Sequence, residues 1–519
     1  MSTQPSTDRP TTDRPDVTPA TEDGFVRGLS QMIGGPLGSH AVPPDSRPGR
    51  FWTAPRIVLA LTCLVLALSW VQKSPCMDGN WQKNVQYTRY CYTDVLALYF
   101  AEGINEGKVP YADHPVEYPV VTGYFMGALG LPVHAYGVKN PDINQGSWFY
   151  NVNALVLSLF AVATVGVILA LRRRRPWDAA IFALSPILLL TATINWDLLA
   201  IGLAAIGLYL WVKQKPVWAG VLLGLGAAAK LWPLFILGPI LILALRTGRP
   251  KPFVASFLAT GATWALANFP VWFWYHESWL RFFRLNSERP IDWGTFWYIG
   301  RYLDGKWNTG TDGDQGPFQW LSNNIPTLNY LSYALFGLAC LAILVVGLLA
   351  PRRPRLSQLA FLVVAAFLLT SKVWSQQYVL WLLPLIALAR PKWGAIMAWT
   401  VAEVGYLAAF YAELIGAGGK TVIPEGTFVL ASTARFVTVA VLFGLVMREI
   451  WRPELDVVRE SYDGADPDAG PLDGPDVGWV AGFRRTFGIG TRSGSSGDAE
   501  PADRTDPDLT DPVGSPAAS

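Results

Sequence analysis

The chain has 519 residues, of which 51% are hydrophobic and only 15% are charged. A soluble protein of this length carries about 25% charged residues, so the composition excludes an ordinary soluble enzyme. Repeated apolar runs of roughly 15 to 23 residues predict a polytopic membrane protein. The Lys and Arg residues stand in separate clusters between these runs, which is typical of membrane topology and argues against nucleic-acid binding.

The two ends of the chain differ from this apolar core. Residues 1–50 are rich in Pro, Thr and Asp, and residues 453–519 hold 14 acidic and 5 basic residues with repeated Asp-Pro units. Such segments bury too little apolar area to offset the entropy lost on ordering. We therefore predict two disordered cytoplasmic tails that flank one membrane domain at residues 51–452.

Twelve apolar segments are predicted to cross the membrane, which makes the fold all-α. They lie at about 51–71, 149–171, 178–195, 197–212, 217–230, 232–246, 253–275, 328–350, 357–371, 378–390, 393–412 and 425–449. Basic loops face the cytoplasm, so both termini are expected inside. The basic clusters are Arg172–Arg175, Lys213/Lys215, Arg246/Arg249/Lys251, Arg352/Arg353/Arg355, Arg390/Lys392 and Arg448/Arg452. The apolar stretch Val120–Tyr136 would reverse this order if it spanned, so it is predicted to be re-entrant or to lie on the surface.

This topology places two long loops, about 72–148 and 276–327, on the outer side. In the first, the apolar residues after Asp94 share one helical face, which predicts a short amphipathic helix on the outer membrane surface; they are Leu96, Tyr99, Phe100 and Ile104. Asp94 at its start has two interpretations. Its carboxylate could take a proton as a general base, or it could cap the helix by accepting hydrogen bonds from free backbone amides.

Other polar residues on the outer side also have two interpretations. His114 and Glu117 could orient a polar acceptor, or they could form a structural pair. Lys230 and Lys372 lie at turns of very apolar hairpins, where they could bind a lipid phosphate or extend to the interface. The chain has four His residues and no spaced ligand cluster, so a metal site is not predicted.

The outer loops carry two further features. The second loop interleaves arginines, including Arg281 and Arg284, with aromatic residues, which fits anionic lipid headgroups or sugars and also an ordinary interfacial belt. Cys76 and Cys91 are 15 residues apart in the first loop, and a disulfide between them is plausible in an oxidising compartment.

Several motifs follow one another in a consistent order. They are Thr93-Asp94, Pro110-Tyr111, Val116-Glu117-Tyr118-Pro119, Ser185-Pro186, Asn195-Trp196-Asp197, Ala227-Ala228-Ala229-Lys230 with Pro233, Ser371-Lys372-Val373-Trp374-Ser375-Gln376-Gln377-Tyr378 and Leu380-Trp381-Leu382-Leu383-Pro384. In this order and membrane placement, residues 50–450 resemble the GT-C membrane glycosyltransferases. The resemblance is in particular to glycosyltransferase family 87, which includes polyprenyl-phosphate-mannose-dependent mannosyltransferases.

The resemblance implies a GT-C-like bundle that transfers a hexose, expected to be mannose, with inversion. The donor would be a polyprenyl-phosphate sugar, and the acceptor a glycolipid or polysaccharide at the outer face of the cell membrane. Asp94 matches the acidic residue that acts as the base. We expect the donor phosphate to contact Lys230, Lys372, Arg281 and Arg284. The sugar or acceptor would contact His114, Glu117, Tyr118, Asn195, Asp197 and Gln377. The resemblance implies no metal or other cofactor.

Two other functions remain open at this point. A transporter or flippase for lipid-linked sugars would need charged groups at mid-membrane and often shows internal repeats, and the sequence shows no convincing duplicated half. A polymerase or ligase for outer-surface glycans would share the donor side of the reaction.

Overall fold

The computed structural model describes residues 18–33, 51–307, 316–480 and 482, and their regular structure is helical, without strands. The α-helices are α1 Pro19–Glu22, α2 Gly24–Ile33, α3 Ala54–Lys73, α4 Val85–Thr88, α5 Asp94–Ala101, α6 Val120–Lys139, α7 Gln145–Leu171, α8 Ala180–Ala183, α9 Pro186–Thr191, α10 Asp197–Val212, α11 Pro216–Ala229, α12 Leu237–Thr247, α13 Pro250–Trp274, α14 His276–Glu288, α15 Phe296–Trp307, α16 Pro317–Asn323, α17 Ile325–Leu349, α18 Leu356–Thr370, α19 Val379–Ala389, α20 Trp393–Ala417, α21 Glu425–Trp451 and α22 Val457–Ser461. Short 3-10 turns lie at Ser74–Cys76, Gln82–Asn84, Ile104–Glu106, Pro176–Ala179, Trp232–Ile236, Gln376–Tyr378, Pro453–Leu455 and Gly470–Leu472.

Six of these helices are long and apolar enough to cross a membrane, which indicates a multi-pass membrane protein. They are α3, α7, α13, α17, α20 and α21. Six shorter apolar stretches accompany them, at Pro176–Thr191, Asp197–Val212, Pro216–Ala229, Trp232–Thr247, Leu356–Thr370 and Gln376–Ala389. All twelve lie close to the predicted segments. The number that crosses the bilayer stays a prediction.

Helix α6 fills the stretch that was expected to be re-entrant or surface-lying, and it is not among the six long apolar helices. Its buried Gly123 is packed against Tyr111, whose ring would overlap any Cβ at that position. The Tyr111 hydroxyl in turn donates to the carbonyl of Tyr118 at 2.9 Å. Helix α6 therefore supports the loop that precedes it.

The first part of the first long loop, residues 74–119, folds onto one end of the bundle, which we call the loop end. A disulfide joins Cys76 to Cys91, and both cysteines are fully buried. The Lys73 ammonium, at the end of α3, donates to the carbonyls of Tyr90 and Tyr92 at 3.1 and 3.0 Å. These links fix the chain just before Asp94.

Helix α5 differs from the predicted surface helix. Leu96, Tyr99 and Ile104 are buried, and the Tyr99 ring stacks on Phe149 of α7 at 4.4 Å between centroids. Only Phe100 of the predicted apolar face is exposed. The apolar face therefore packs against the bundle, because α7 offers a nearby apolar surface that the sequence pattern alone does not show.

The opposite end of the bundle, which we call the tail end, is covered by residues 453–480. The Arg172 guanidinium contacts Asp468 at 2.7 Å, and Arg355 contacts Asp456 at 2.8 Å and Asp468 at 3.0 Å. Arg246 contacts Asp476 at 2.9 Å. Buried guanidinium groups need such paired and hydrogen-bonded counter-ions.

This segment corrects the expectation of a disordered tail. The predicted disorder rested on the acidic composition, yet these carboxylates are the partners of buried arginines, and Val458 and Leu472 are buried beside them. At the other terminus, the Asp23 carboxylate accepts a hydrogen bond from the Trp393 backbone N–H at 2.7 Å. The predicted disorder of residues 1–17, 34–50 and 483–519 lies outside the described residues.

Candidate active site

Asp94 is the first residue of α5, and its carboxylate does not cap that helix. Thr93 is the cap, because its side-chain oxygen accepts from the Val95 N–H at 3.2 Å. The Thr93 hydroxyl also donates to the Thr193 carbonyl at 2.6 Å, and the Asp94 N–H donates to the Ile194 carbonyl at 2.7 Å. The start of α5 is thus bound to the turn before α10, and the Asp94 carboxylate is left for side-chain partners.

Two strong donors orient the half-buried Asp94 carboxylate. The Tyr92 hydroxyl donates to Oδ1 at 2.7 Å, and the Asn195 amide donates to Oδ2 at 2.6 Å. The Gln377 amide approaches Oδ2 at 3.5 Å. Burial, together with the Asp94 charge, raises the pKa of Tyr92, so the phenol stays protonated as a donor. A carboxylate has about four lone-pair sites, so Oδ1 keeps the capacity to accept a substrate hydroxyl.

Asn195 connects Asp94 to a buried cation. Its Oδ1 accepts from the Lys230 ammonium at 3.0 Å, which leaves its amide nitrogen to donate to Asp94 and to the Tyr118 hydroxyl at 2.6 Å. Lys230 also lies over the Tyr118 ring, 4.6 Å from its centroid. Lys230 therefore fixes which way the Asn195 amide faces.

The Asp197 carboxylate is the counter-ion of Lys230. Its Oδ2 lies 3.5 Å from the Lys230 ammonium, and its Oδ1 accepts from the Trp381 indole N–H at 2.7 Å. The Asp197 side chain is fully buried, so it supports Lys230 and cannot contact a substrate in this conformation.

Lys372 lies in the turn between α18 and α19, near this group, but its ammonium is bound to backbone. It donates to the carbonyls of Ser287 and Arg289 at 3.2 and 2.6 Å. Burial and the neighbouring Arg289 charge lower the pKa of Lys372 to about 8. The turn therefore holds the second long loop in place.

Arg289 is the exposed cation that this arrangement presents. Its side chain interacts electrostatically with Asp292, Tyr378, Tyr118 and Glu117. The sequence predicts a basic second loop but does not distinguish Arg289 from its neighbours. The signal that could have found it is its position directly before Pro290, which ends α14 and turns the chain toward the Lys372 turn.

His114 and Glu117 form a second polar group around a residue that sequence analysis missed. The Glu102 carboxylate lies 3.3 Å from His114 Nε2 and accepts the Glu117 backbone N–H at 3.3 Å. Burial raises the pKa of Glu102 to about 7 and also raises the pKa of Glu117. Burial lowers the pKa of His114. Glu102 thus links the two predicted residues, which do not bind each other directly.

The structure therefore sorts the predicted site residues into three groups. Asp94, Tyr118, Asn195, Asp197, Lys230 and Gln377 come together, with Lys372 in the adjacent turn. His114 and Glu117 surround Glu102, and Arg281 interacts electrostatically with that group. Arg284 is exposed and pairs with Glu277 at 2.7 Å.

In the part of the chain that the structure describes, neither a metal ligand set nor a large cavity marks this site. Among the described residues, no group of three or more His, Cys, Asp or Glu side chains could hold a metal ion. A cavity of about 220 Å³ lies at the tail end, lined among others by Asp23, Arg175 and Trp393. We place the site at Asp94 because oriented ionisable groups, rather than volume, carry chemistry.

Residues 146–375 match the sequence model of glycosyltransferase family 87. This match confirms the resemblance inferred from the motifs and indicates a membrane glycosyltransferase. No curated protein matches the chain.

The family 87 match covers less than half of the chain. It contains Asn195, Asp197, Lys230 and Lys372, and it begins after Asp94 and ends before Gln377. The polar group is therefore assembled from the family 87 segment and from residues on both sides of it.

Proposed function

We propose that the chain transfers a hexose, with mannose as the expected sugar, from a polyprenyl-phosphate donor to an acceptor hydroxyl. The reaction would take place at the outer face of the cell membrane, on a glycolipid or polysaccharide. The observation that supports this most directly is the oriented carboxylate of Asp94, which is bound by Tyr92 and Asn195 beside the Lys230 cation.

The reaction is a single displacement. The acceptor oxygen bonds to the anomeric carbon while the bond from that carbon to the phosphate oxygen breaks, which inverts the configuration. The acceptor proton moves to Asp94 Oδ1, acting as general base, and the bonding electron pair leaves with the lipid phosphate. The buried Gln377 Oε1 has no partner among the described residues, so a sugar hydroxyl would satisfy it.

Cations near the leaving group stabilise the negative charge that grows on the phosphate. Arg289 suits this role because its side chain is exposed beside Tyr118 and Tyr378. Lys230 would act from behind Tyr118, and a phosphate would compete with Asp197 for it. Lys372 would act indirectly, through the carbonyls of Ser287 and Arg289.

A shallow apolar groove with a cavity of only about 10 Å³ adjoins the site, and it would have to widen to admit the prenyl chain. It is lined among others by Tyr118, Leu231, Trp264 and Phe282, which come from the first loop, the α11 end, α13 and α14. Tyr118 belongs to both the groove and the Asp94 group. A donor held in the groove would therefore carry its phosphate toward Lys230 and Arg289.

The direct test uses membranes with wild-type chain or Asp94→Asn, given radiolabelled polyprenyl-phosphate-mannose and a lipid extract. We expect labelled product from wild type and a loss of at least about a hundredfold with Asp94→Asn. Asp113→Asn, an exposed carboxylate of the same loop, is the matched control. Transfer that survives Asp94→Asn removes Asp94 as the base.

Failure of wild type to consume the donor would reject the donor assignment. A parallel arm with polyprenyl-phosphate-glucose tests the sugar. Movement of the lipid-linked sugar across vesicle membranes without glycosidic transfer would favour the flippase alternative, and joining of preformed glycans would favour the ligase.

A further inference from the structure

A buried ion pair between α20 and α21 lies behind the turn that carries Lys372 and Gln377. Glu403 Oε2 lies 3.0 Å from Arg435 Nε, and Glu403 Oε1 accepts from the Trp399 indole N–H at 3.0 Å. The Arg435 side chain is fully buried, with its guanidinium 4.1 Å from the centroids of both the Trp374 and Tyr406 rings. Ionisable groups inside membrane helices are costly and call for a functional explanation.

The remaining nitrogens of Arg435 point at the turn. Its two terminal nitrogens donate to the carbonyls of Trp374 and Ser375, at 3.2 and 3.3 Å. One guanidinium therefore binds two consecutive backbone carbonyls and also stacks on the Trp374 ring. A planar guanidinium can make this fork, and a lysine ammonium cannot reproduce it.

The other side of the same turn is bound to the second long loop. The Asp292 N–H donates to the Lys372 carbonyl at 2.9 Å, and the Asp292 carboxylate accepts the Trp374 N–H. The Trp297 indole donates to the Thr370 carbonyl at 3.1 Å. Arg435 thus binds this turn from the side of the membrane helices. The other contacts of the turn come from the second long loop.

The turn positions Gln377, which contacts Asp94. Gln377 follows Ser375 by two residues, and its amide nitrogen lies 3.5 Å from Asp94 Oδ2. Its Oε1 is buried without a partner among the described residues. Lys372, at the other end of the turn, donates to the carbonyls of Ser287 and of Arg289, whose side chain is exposed.

We propose that Glu403 and Arg435 are positioning residues that set residues 371–377 and, through Gln377, the ligand side of Asp94. This inference rests on the proposed function only where it is tested by enzyme kinetics. Both residues lie outside the segment that matches family 87, so this support is supplied by the C-terminal part of the bundle.

The kinetic test compares Arg435→Lys and Glu403→Gln with a matched buried pair at the tail end. Arg390 Nε lies 3.0 Å from Glu449 Oε1, so Arg390→Lys and Glu449→Gln perturb an ion pair away from the turn. We expect Arg435→Lys and Glu403→Gln to lower kcat roughly tenfold or more, because small displacements of positioned groups are costly, with little change in donor KM. The Arg390 and Glu449 variants should keep kcat within about twofold at comparable thermal stability.

A double-mutant cycle separates positioning from general destabilisation. If Arg435 acts through Gln377, then Gln377→Ala with Arg435→Lys should cost little more than either change alone. When Tyr92→Phe and Arg435→Lys are combined, their fold-losses in kcat should multiply, because Tyr92 binds Asp94 independently of Arg435. Multiplicative losses with Gln377→Ala, or equal losses in the Arg390 variants, would overturn the proposal.

Hydrogen exchange gives a readout that does not need activity. In purified protein, Arg435→Lys should increase amide exchange in a peptide spanning residues 371–378, and Arg390→Lys should leave it unchanged. If Arg435→Lys fails to fold, Trp399→Phe keeps both charged partners, removes the indole hydrogen bond to Glu403 together with part of the buried ring, and should produce the same change in milder form. Unchanged exchange at 371–378 rejects the positioning role, whereas altered exchange without donor turnover rejects only the proposed reaction.

Discussion

The Tyr92 hydroxyl donates to Asp94 Oδ1 at 2.7 Å across a single intervening residue. The backbone at Thr93 is extended, so residues 92 and 94 project to the same side. The loop thus delivers a donor to its own carboxylate, and the disulfide of Cys91 stands directly before this unit. Asp94 is oriented before any substrate arrives.

Tyr92→Phe removes that donor and keeps the ring. A hydrogen bond to a charged group contributes about 1.5–3 kcal/mol, so we expect kcat to fall by roughly tenfold or more. Steady-state kinetics with the polyprenyl-phosphate sugar measures the effect. Tyr90→Phe, whose ring is exposed, is the control and should behave as wild type. Equal rates for the two variants would show that Tyr92 does not act on Asp94.

Asn195→Asp keeps the shape of the side chain and replaces the amide donor by an acceptor. The new carboxylate would face Asp94 Oδ2 across the present 2.6 Å contact. Two carboxylates at that distance repel each other or share a proton, so Asp94 would no longer be available as a free base. We expect transfer to fall at least about a hundredfold with folding preserved. Activity close to wild type would contradict the geometry.

Asp468→Asn tests the tail end. Arg172 and Arg355 lower the pKa of Asp468 despite its burial, and removing one partner of a buried pair costs about 3–5 kcal/mol. Thermal unfolding in detergent should show a large loss of stability. Asp473→Asn, whose exposed side chain lies 3.7 Å from Arg353, is the control and should change little.

The same carboxylates make stability depend on pH. The folded-state pKa values of Asp456 and Asp468 are below the unfolded-state value, so their contribution is present above about pH 4 and is lost as the pH falls further. The unfolding temperature should therefore decline below about pH 4. This decline should be smaller in Asp468→Asn, and an identical decline would exclude Asp468 as a cause.

Thiol labelling tests the fold of the first loop, through the Cys76–Cys91 bond, and its side of the membrane, through an added cysteine. In denatured protein without reductant, only Cys63 and Cys340 should react with a maleimide, and reduction should expose two further thiols. Both thiols are buried, so the side of the membrane is tested with a cysteine at the exposed position 113: an impermeant maleimide should label Asp113→Cys in intact cells. Labelling that requires permeabilised membranes would reverse the proposed orientation.

The sequence predicts the helices well and their support poorly. Apolar runs reveal segments such as Gln145–Leu171 directly, because length and hydropathy are local properties. Asp94 is found through the resemblance to a family, which supplies a role that spacing alone leaves open. Tyr92 could have been inferred from the period-two geometry of an extended segment.

Other features depend on pairings over long separations. Glu403 and Arg435 come together only when α20 packs against α21 and against the Trp374 turn. From the sequence, the carboxylates of residues 453–480 are predicted to be solvated, because the neighbouring residues give no sign of the distant buried arginines with which they pair. An argument from composition treats each carboxylate as unpaired, whereas Asp456 and Asp468 both pair with Arg355 in this fold.

The contact between Arg172 and Asp468 spans 296 residues of chain. Because synthesis runs from the N-terminus to the C-terminus, Arg172 emerges long before its counter-ion exists. The arginines at the tail end must therefore stay hydrated or bound to lipid phosphates until almost the whole bundle has been inserted. Pairing with Asp468, and then of Arg246 with Asp476, comes at the end of synthesis, and a chain that stops before residue 468 would leave these buried arginines without their counter-ions.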